Sequence, residues 1–334
     1  MRLKIKNSII VCAYNEEKYL ENCLNSLRNQ IIDTGCTELI IIDNESEDCT
    51  GDIGKIFVDE NKAYFSCKYI KIDNHVELSK SRNVGIKESV GDIVIFIDAD
   101  AYVKSEWLKN LLTGFIDEEV DIVSGKVENL ENESGFSEFI YNAYFRSTQS
   151  FGVSRLIGAN MAFRRKVFEA TGGFFNNIHG RGDEVAVATR YFSLFPNKKE
   201  RFVRNAIVYN EYPDSILIWL KQQFREGISH IAICRLNLKN NLLYYIQNSF
   251  RFCNVIFWPS LPLVLDVFNS ISLFIVGIVL ARYIYRYKLF VTSFKNTFKA
   301  MGLTKAILSI PTIFLGTYLL DLGCIKQLFS NRNL

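Results

Sequence analysis

Along the first hundred residues the hydrophobic pattern switches back and forth between two periods. Short apolar runs rich in β-branched residues, "NSIIVCAY" (Asn7 to Tyr14), "TELIIIDN" (Thr37 to Asn44), "CKYIKID" (Cys67 to Asp73) and "DIVIFIDAD" (Asp92 to Asp100), read as strands. Between them lie segments of helical spacing. After the first run, Tyr19, Leu20, Cys23, Leu24 and Leu27 share one helix face, and Asn15 ahead of Glu16 and Glu17 is an N-cap signal. Repetition of strand, helix and strand predicts a parallel α/β sheet, whose ligands gather beyond the carboxyl ends of the strands.

Those carboxyl ends are acidic. The first run ends in "AYNEE" with Glu16, the second in "IDNESED" with Asp43, and the fourth in "IDAD" with Asp98 and Asp100. Such a rim repels a bare phosphate but suits Mg²⁺ or Mn²⁺, which prefer oxygen ligands and hold phosphate themselves. Taken alone, D-x-D is equally well two aspartates in a solvated turn. No G-x-G-x-x-G follows the first strand and no G-x-x-x-x-G-K-[ST] occurs, which argues against a dinucleotide dehydrogenase and a P-loop enzyme.

Composition narrows the class further. The 334 residues are 49% hydrophobic and 22% charged, enough for roughly two domains or one enlarged one. A formal charge of +3, from 39 basic and 36 acidic residues without a basic block, gives no sign of a nucleic-acid partner. The eight cysteines contain no C-x-x-C pair and read as reduced thiols. The apolar run behind "MRLKIK" is too short for a signal peptide, so the N-terminal part is expected in the cytoplasm.

Late in the chain the pattern changes. From Phe252 to Tyr285 the only full charges are Asp266 and Arg282. Two membrane readings fit: one tilted span near Leu261 to Ala281, or a hairpin of short spans turning near Asn269 and Ser270. The hairpin returns Arg282, Arg286, Lys288, Lys295 and Lys299 to the cytoplasmic side, as positive-inside bias asks. Its arms fall short of the ~20 residues of a full crossing, which leaves a re-entrant or interfacial arrangement open. The segment from Ala306 to Leu320 either crosses or lies shallow, and a helix pair in the core of a soluble protein is the plain alternative.

Four motifs, "SIIVCAYNEEKYLENCLNSL", "ELIIIDNESEDCTGDI", "ELSKSRNVGI" and "GDIVIFIDADAYV", follow one another in an order and spacing that resemble the family 2 glycosyltransferases. The resemblance covers about residues 7 to 235. It implies the GT-A fold, a Rossmann-like, mixed but mostly parallel sheet flanked by helices, followed here by C-terminal membrane-associated helices. The expected division is a catalytic domain over 1–245, with nucleotide-sugar binding in 1–125 and the acceptor side in 126–245, and a membrane-associated region over 246–334. The implied donor is a UDP- or GDP-sugar, the cofactor Mg²⁺ or Mn²⁺, and the acceptor lipid-linked or part of a cell-envelope glycan, with the catalytic domain on the cytoplasmic face of the membrane.

Carried over by position, the resemblance places Ala13, Tyr14 and Glu16 at the nucleobase and ribose. It has Asp43 accepting a hydrogen bond from base or ribose, Arg82 near the sugar or diphosphate, Asp98 at ribose and sugar, and Asp100 on the metal. On the acceptor side, Gly158, Ala159 and Asn160 form a turn of small residues that a sugar can approach. "GRGDEVAVATR" matches the family's acid pair and the arginine six positions later: Asp183, Glu184 and Arg190, with Glu184 as base. A carboxylate of ordinary pKa is already ionised at neutral pH, as a base must be. The family more often has Glu then Asp in this pair.

Two departures stand out. Asn210 occupies the position where many members carry a histidine, and of the three histidines only His179 is expected to reach the site. Processive members carry Q-x-x-R-W, whereas this chain has Gln222, Arg225 and then Glu226, which favours addition of a single sugar. A processive polysaccharide synthase and a non-catalytic nucleotide-sugar-binding membrane protein are the alternatives. The helical stripe Ile216, Leu217, Leu220, Phe224, Ile228 and Ile231 suits a membrane surface or packing on the domain.

Overall fold

The computed structural model describes residues 5–130, 135–145, 156–176, 182–236 and 287–328. The chain divides into two compact units: Met1–Glu131, Ser154–Ile178 and Gly182–Glu211 in one, and Asn132–Val153, His179–Arg181 and Tyr212–Leu334 in the other.

In the first unit, β1 (Asn7–Ala13), α1 (Leu20–Thr34), β2 (Thr37–Asp43), α2 (Thr50–Asn61), β3 (Cys67–Lys71), α3 (Leu78–Glu88) and β4 (Ile93–Asp98) alternate as the sequence pattern predicts. There follow β5 (Ala101–Val103), α4 (Trp107–Leu112), β6 (Val120–Asn129), β7 (Met161–Arg164), α5 (Arg165–Thr171), α6 (Asp183–Leu194) and β8 (Lys199–Asn210). The strands form one eight-stranded sheet in the order β3-β2-β1-β4-β7-β6-β8-β5. It is the mixed, mostly parallel sheet of the expected fold. β1 pairs in parallel with β2 and β4, β2 with β3, and β6 with β8, while β7 runs antiparallel to both β4 and β6.

The apolar runs are continuous because the central strands are covered on both faces. Ile9, Val11, Leu39, Ile41, Ile95 and Ile97 face one core, with Leu20, Cys23, Leu24, Leu27 and Ile31 of α1 over them. Ile10, Ile40, Ile42, Val94 and Phe96 face the other, beneath Val167 and Phe168 of α5 and Val187, Ala188 and Tyr191 of α6. Register then sets the rim. Cys12 lies opposite Asp98 and Ala13 opposite Asp43, so the tips of β1, β2 and β4 end level. The chain leaves β1 toward β2 on one side and returns to β4 on the other, which opens a crevice at the strand ends. Beyond Asp98 it turns through Ala99 and Asp100 and rejoins the sheet at its edge, with Ala101 of β5 opposite Asn210 of β8.

The second unit contains α7 (Ile216–Leu236), α8 (Tyr287–Met301) and α9 (Leu303–Leu328), with a helical turn at Phe136–Ile140 running into a π-helical turn at Tyr141–Phe145. Phe139, Ile140, Ala143, Trp219 and Ile313 form its core, with Leu220 and Met301 packed against them. The buried side of α7 is therefore Trp219, Gln223 and Gly227, rather than the stripe that starts at Ile216. α9 contains the predicted segment Ala306 to Leu320. Its stretch Leu303–Leu322 is long and apolar enough to cross a membrane by length and composition, with mean hydropathy 1.5, and 21% of it is buried. The predicted hairpin or span between Phe252 and Tyr285, with Arg282, and also Arg286, lies outside the described residues.

Candidate functional site

The loops after β1 and β2 are tied to each other before any ligand is considered. Asn15 and Glu45 adopt left-handed backbone, φ 54° and 65°. Asn15 donates from its amide to Ser46 Oγ at 3.0 Å and accepts from the Glu47 amide at its own Oδ1 at 2.9 Å. The Glu16 amide donates to Thr50 Oγ1 at 2.7 Å, and the Glu17 amide to Asp48 Oδ2 at 3.1 Å. Asn15 is thus a cross-link between loops, not the cap of α1, which begins only at Leu20.

Between these loops and the tip of β4 lies a cavity of about 380 Å³ whose walls include Ala13, Tyr14, Glu16, Asn44, His75, Asp98 and Asp100. That volume is within the range of small-ligand sites. Tyr14 is 43% exposed, and its ring centre sits 4.1 Å from that of His75, the planes tilted by 49°. Asn44 holds the segment that carries His75: its Nδ2 donates to the Val76 carbonyl at 2.8 Å and its Oδ1 accepts from the Val76 amide at 3.0 Å. Asp43 is placed differently. It is 1% exposed, its Oδ2 accepts from the Tyr69 hydroxyl at 2.6 Å and its Oδ1 from the Ser46 amide at 2.9 Å. It shapes the second loop from beneath.

Arg82 connects the cavity to the acid pair. Its side chain is 4% exposed, and Nη1 donates to both oxygens of Asp183, at 2.8 and 2.9 Å. Nη2 donates to Asp98 Oδ1 at 3.3 Å. The guanidinium lies 5.9 Å from the centre of the Phe96 ring and 5.5 Å from that of Phe174, within cation–π range. Burial opposes its charge, but Asp183, then Asp98 and Glu184, outweigh burial and hold the pKa above that of a free arginine. The Gly158 turn serves this side chain: a Cβ on Gly158 would stand 2.6 Å from Arg82 Nη2, so the space expected for a sugar is taken by the guanidinium. Asn160 in the same turn is structural, its Nδ2 donating to the carbonyls of Lys126 and Ala206 and its Oδ1 accepting from Trp107 Nε1, each at 2.9 Å.

Asp183 and Glu184 open α6, where the helix dipole favours negative charge, after Gly182 at φ 103°. Both are buried, at 3% and 8% exposure. Glu184 does not keep the ordinary carboxylate pKa the sequence reading assumed. Burial, then the charge of Asp183 and a hydrogen bond with it, hold its carboxyl well above the usual range, with Arg82 pulling the other way. Arg190 is exposed on the same helix. His179 lies outside the described residues, while His75, which the sequence reading set aside, lines the cavity. Its sequence signal was weak: a lone histidine in the loop "DNHVE" ahead of the "SRN" helix.

The rim has the chemistry of an oxygen-ligand cation site. Glu16 is pushed up to about 7 by burial and then by Asp98, Asp48 and Glu211, a sign of negative charge crowded together. Asn210 closes β8 opposite Ala101, one residue from Asp100, with its Oδ1 buried and no hydrogen-bond partner among the described residues. Among the described residues no three His, Cys, Asp or Glu side chains form a group able to hold a metal. What the rim does offer is single oxygen donors, the carboxylates of Asp98 and Asp100 in the cavity wall and the unpaired Asn210 Oδ1, the kind of ligand Mg²⁺ and Mn²⁺ take one or two at a time beside phosphate and water.

Comparison with known proteins follows the same lines. Residues 8–172 match the family model described as Glycosyl transferase family 2. Glycosyltransferase AglE of Haloferax volcanii is 28% identical over 179 residues, which is 53% of this chain and 58% of that protein. The poly(ribitol-phosphate) beta-N-acetylglucosaminyltransferase TarS of Staphylococcus aureus is 35% identical over 115 residues, 34% of this chain and 19% of that one. The chain thus spans a little over half the length of the first relative and a fifth of the second. Among solved structures, the mannosyltransferase PcManGT from Pyrobaculum calidifontis, in complex with GDP-Man and Mn²⁺, superposes with a TM-score of 0.59 at 15% identity, over 99% of this chain and 89% of that one. At that identity the likeness is one of fold.

Proposed function

The chain belongs to glycosyl transferase family 2 and has the GT-A fold, and from this premise we propose that it transfers a single sugar, with inversion, from a nucleoside-diphosphate sugar to a hydroxyl of a membrane-linked or cell-envelope glycan. The observation that carries the reading is the buried Arg82 bridge. It joins Asp98, in the wall of a cavity of about 380 Å³, to Asp183, whose neighbour Glu184 is the candidate base. PcManGT was solved with GDP-Man and Mn²⁺, and TarS is named for transfer of N-acetylglucosamine to poly(ribitol-phosphate), which supports a nucleotide-sugar donor and a hydroxyl acceptor on a polymer.

In this reading Tyr14 and His75 hold the nucleobase, Ala13 and Glu16 border the base and ribose, and Asp98 orients ribose and sugar. Asp43 acts by fixing the loop that carries Ser46. The acceptor hydroxyl attacks C1 from the face opposite the diphosphate, the bond from C1 to the diphosphate oxygen breaks, and the acceptor's proton passes to Glu184. Arg82 holds Asp183 in place, and so fixes the first turn of α6 on which Glu184 rides. Asp100, with Asn210 nearby, would hold Mg²⁺ or Mn²⁺, whose charge offsets that of the departing diphosphate. Residues 246–334 attach the enzyme at the cytoplasmic face. Glu226, which accepts from Gln223 at 3.4 Å, stands where processive relatives have tryptophan, and this supports single addition.

Thermal shift and turnover on nucleotide sugars test the assignment together. Donor with Mn²⁺ raises the melting temperature, because ligand binds only the folded chain. Asp100→Ala loses the Mn²⁺-dependent part of that rise. Glu184→Gln keeps the rise, while turnover falls by ~10²- to 10⁴-fold. Unchanged turnover in Glu184→Gln removes the residue as base, and an unchanged Mn²⁺ effect in Asp100→Ala removes that residue as ligand.

A further inference from the structure

The second unit carries surface chemistry that sugar transfer does not use. α7 begins with Ile216, Leu217 and Ile218 at 40%, 68% and 46% exposure, and around the turn from α8 to α9 Phe298, Leu303, Ile307 and Leu308 are 52–56% exposed. These residues lie at one end of the unit. Trp219 and Leu220, next in sequence to the α7 trio, share a core with Met301, which ends α8 just before the Gly302 turn. A soluble surface scatters single apolar side chains, whereas a contiguous set of long aliphatic and aromatic ones marks an interaction site.

The charges around this patch are mainly positive, with Asp214 as an exposed carboxylate just ahead of α7. Lys221, Lys295, Lys299 and Lys305 are exposed. From Val267 through Leu320 the chain has no Asp or Glu, yet it carries Arg282, Arg286, Lys288, Lys295, Lys299 and Lys305. On α8, Lys295 and Lys299 stand at i and i+4 and so share one face, away from Ser293 and Thr297, which are buried at 1% and 0%. Apolar side chains with four exposed lysines about them, and no carboxylate anywhere from Val267 through Leu320, complement one kind of surface, in which acyl chains lie below a layer of phosphate.

We infer that this end of the second unit docks on an anionic phospholipid surface, the Gly302 turn and the first turn of α7 entering the acyl boundary while the lysines meet lipid phosphates. The docking does not depend on which sugar is moved or which acid is the base. It gives the membrane partner a charge class and the chain a contact face.

The test is partition of the full chain between buffer and vesicles of phosphatidylcholine alone, or of phosphatidylcholine with phosphatidylglycerol, at low and high salt. Each lysine near an anionic surface contributes roughly fivefold. Lys295→Gln/Lys299→Gln/Lys305→Gln is therefore expected to lower partition onto the anionic vesicles on the order of 100-fold at low salt and to abolish the preference over neutral ones. Ile307→Ser/Leu308→Ser should weaken partition onto both kinds of vesicle and leave their ratio intact. Equal partition of the unaltered chain onto both vesicles, or a triple variant that keeps the anionic preference, overturns the inference, as does a serine variant that binds both as before. Donor-induced thermal shift in the lysine variant is expected to match the unaltered chain, so loss of docking and failure of the transfer assignment read out separately.

Discussion

Replacing Arg82 by glutamine puts the greatest strain on the site, and its cost follows from the contacts. The Asp183 side chain is 4% exposed and receives two guanidinium bonds, so removing the cation leaves a buried carboxylate without its counter-charge. Such losses run to about 3–5 kcal/mol, because the stranded charge keeps its desolvation penalty. The bond to Asp98, whose side chain is 36% exposed, adds less, under about 1 kcal/mol, since water screens it. Contacts with the Phe96 and Phe174 rings add roughly 0.5–2 kcal/mol each when desolvated. Asp183 dominates, and the sum is a large part of the roughly 5–15 kcal/mol that holds a typical protein folded. Asp183→Asn strands the guanidinium in turn and is expected to cost less, because Asp98 remains and an amide oxygen still accepts.

A double-mutant cycle by urea unfolding at neutral pH measures the bridge. Arg82→Gln combined with Asp183→Asn removes both stranded charges, so it should cost less than the two single changes added together, by about 1–3 kcal/mol. Arg82→Lys keeps the charge but lacks the planar fork that serves two carboxylates at once, and should recover only part of the loss. Additive single costs, or an Arg82→Gln variant within about 0.5 kcal/mol of the unaltered chain, would refute the bridge as the element that fixes α6.

Four further outcomes are expected. Transfer rate plotted against pH should climb through a midpoint above the ordinary carboxylate value near 4.5, because Glu184 accepts a proton only once ionised and burial beside Asp183 raises its pKa; a midpoint at the ordinary value contradicts this. By the same linkage, the stability that protonated Glu184 contributes is full below about 4.5 and lost as pH rises through the raised value, so Glu184→Gln should melt above the unaltered chain at alkaline pH. Gly227→Ala would put a Cβ 1.9 Å from the Leu320 carbonyl oxygen and 2.9 Å from the Cys324 amide nitrogen, so α7 and α9 must part, at a cost of about 1–3 kcal/mol visible by circular dichroism melting, and an unchanged melt would deny that close crossing. Tyr14→Ala should weaken nucleotide binding by about 1–3 kcal/mol in calorimetry if the base stacks on that ring, and unchanged affinity would move the base elsewhere.

What the sequence revealed was whatever local chemistry decides. β1, β2 and β4 were legible because short β-branched runs buried on both faces have few other solutions, and the carboxylates at their ends followed from where the runs stop. Asn15 was misjudged because its residue type suits a helix cap and a left-handed hinge alike, and only its bonds to Ser46 and Glu47 decide between them. Gly158 was misjudged because a missing side chain does not say what fills the space. The interior role of Asp43 depended on Tyr69, which lies 26 positions further along.

Arg82 was the hardest to read, since its partner Asp183 lies 101 positions away and nothing local foretells their contact. Once made, that contact explains features that look independent. Gly158 bears no side chain because the guanidinium occupies the space, and Asp183 tolerates near-complete burial because Nη1 of the arginine donates to both of its oxygens. Glu184 follows from the same balance. Asp98, Asp183 and Glu184 act on one buried cation, which bonds to the first two, while Glu184 lies in the field of Asp183 beside it. One positive charge among three carboxylates leaves the third as the one that most readily takes a proton. Counting acids in "GRGDEVAVATR" finds the pair; only the shared arginine says which of the two it binds and which is left to accept a proton.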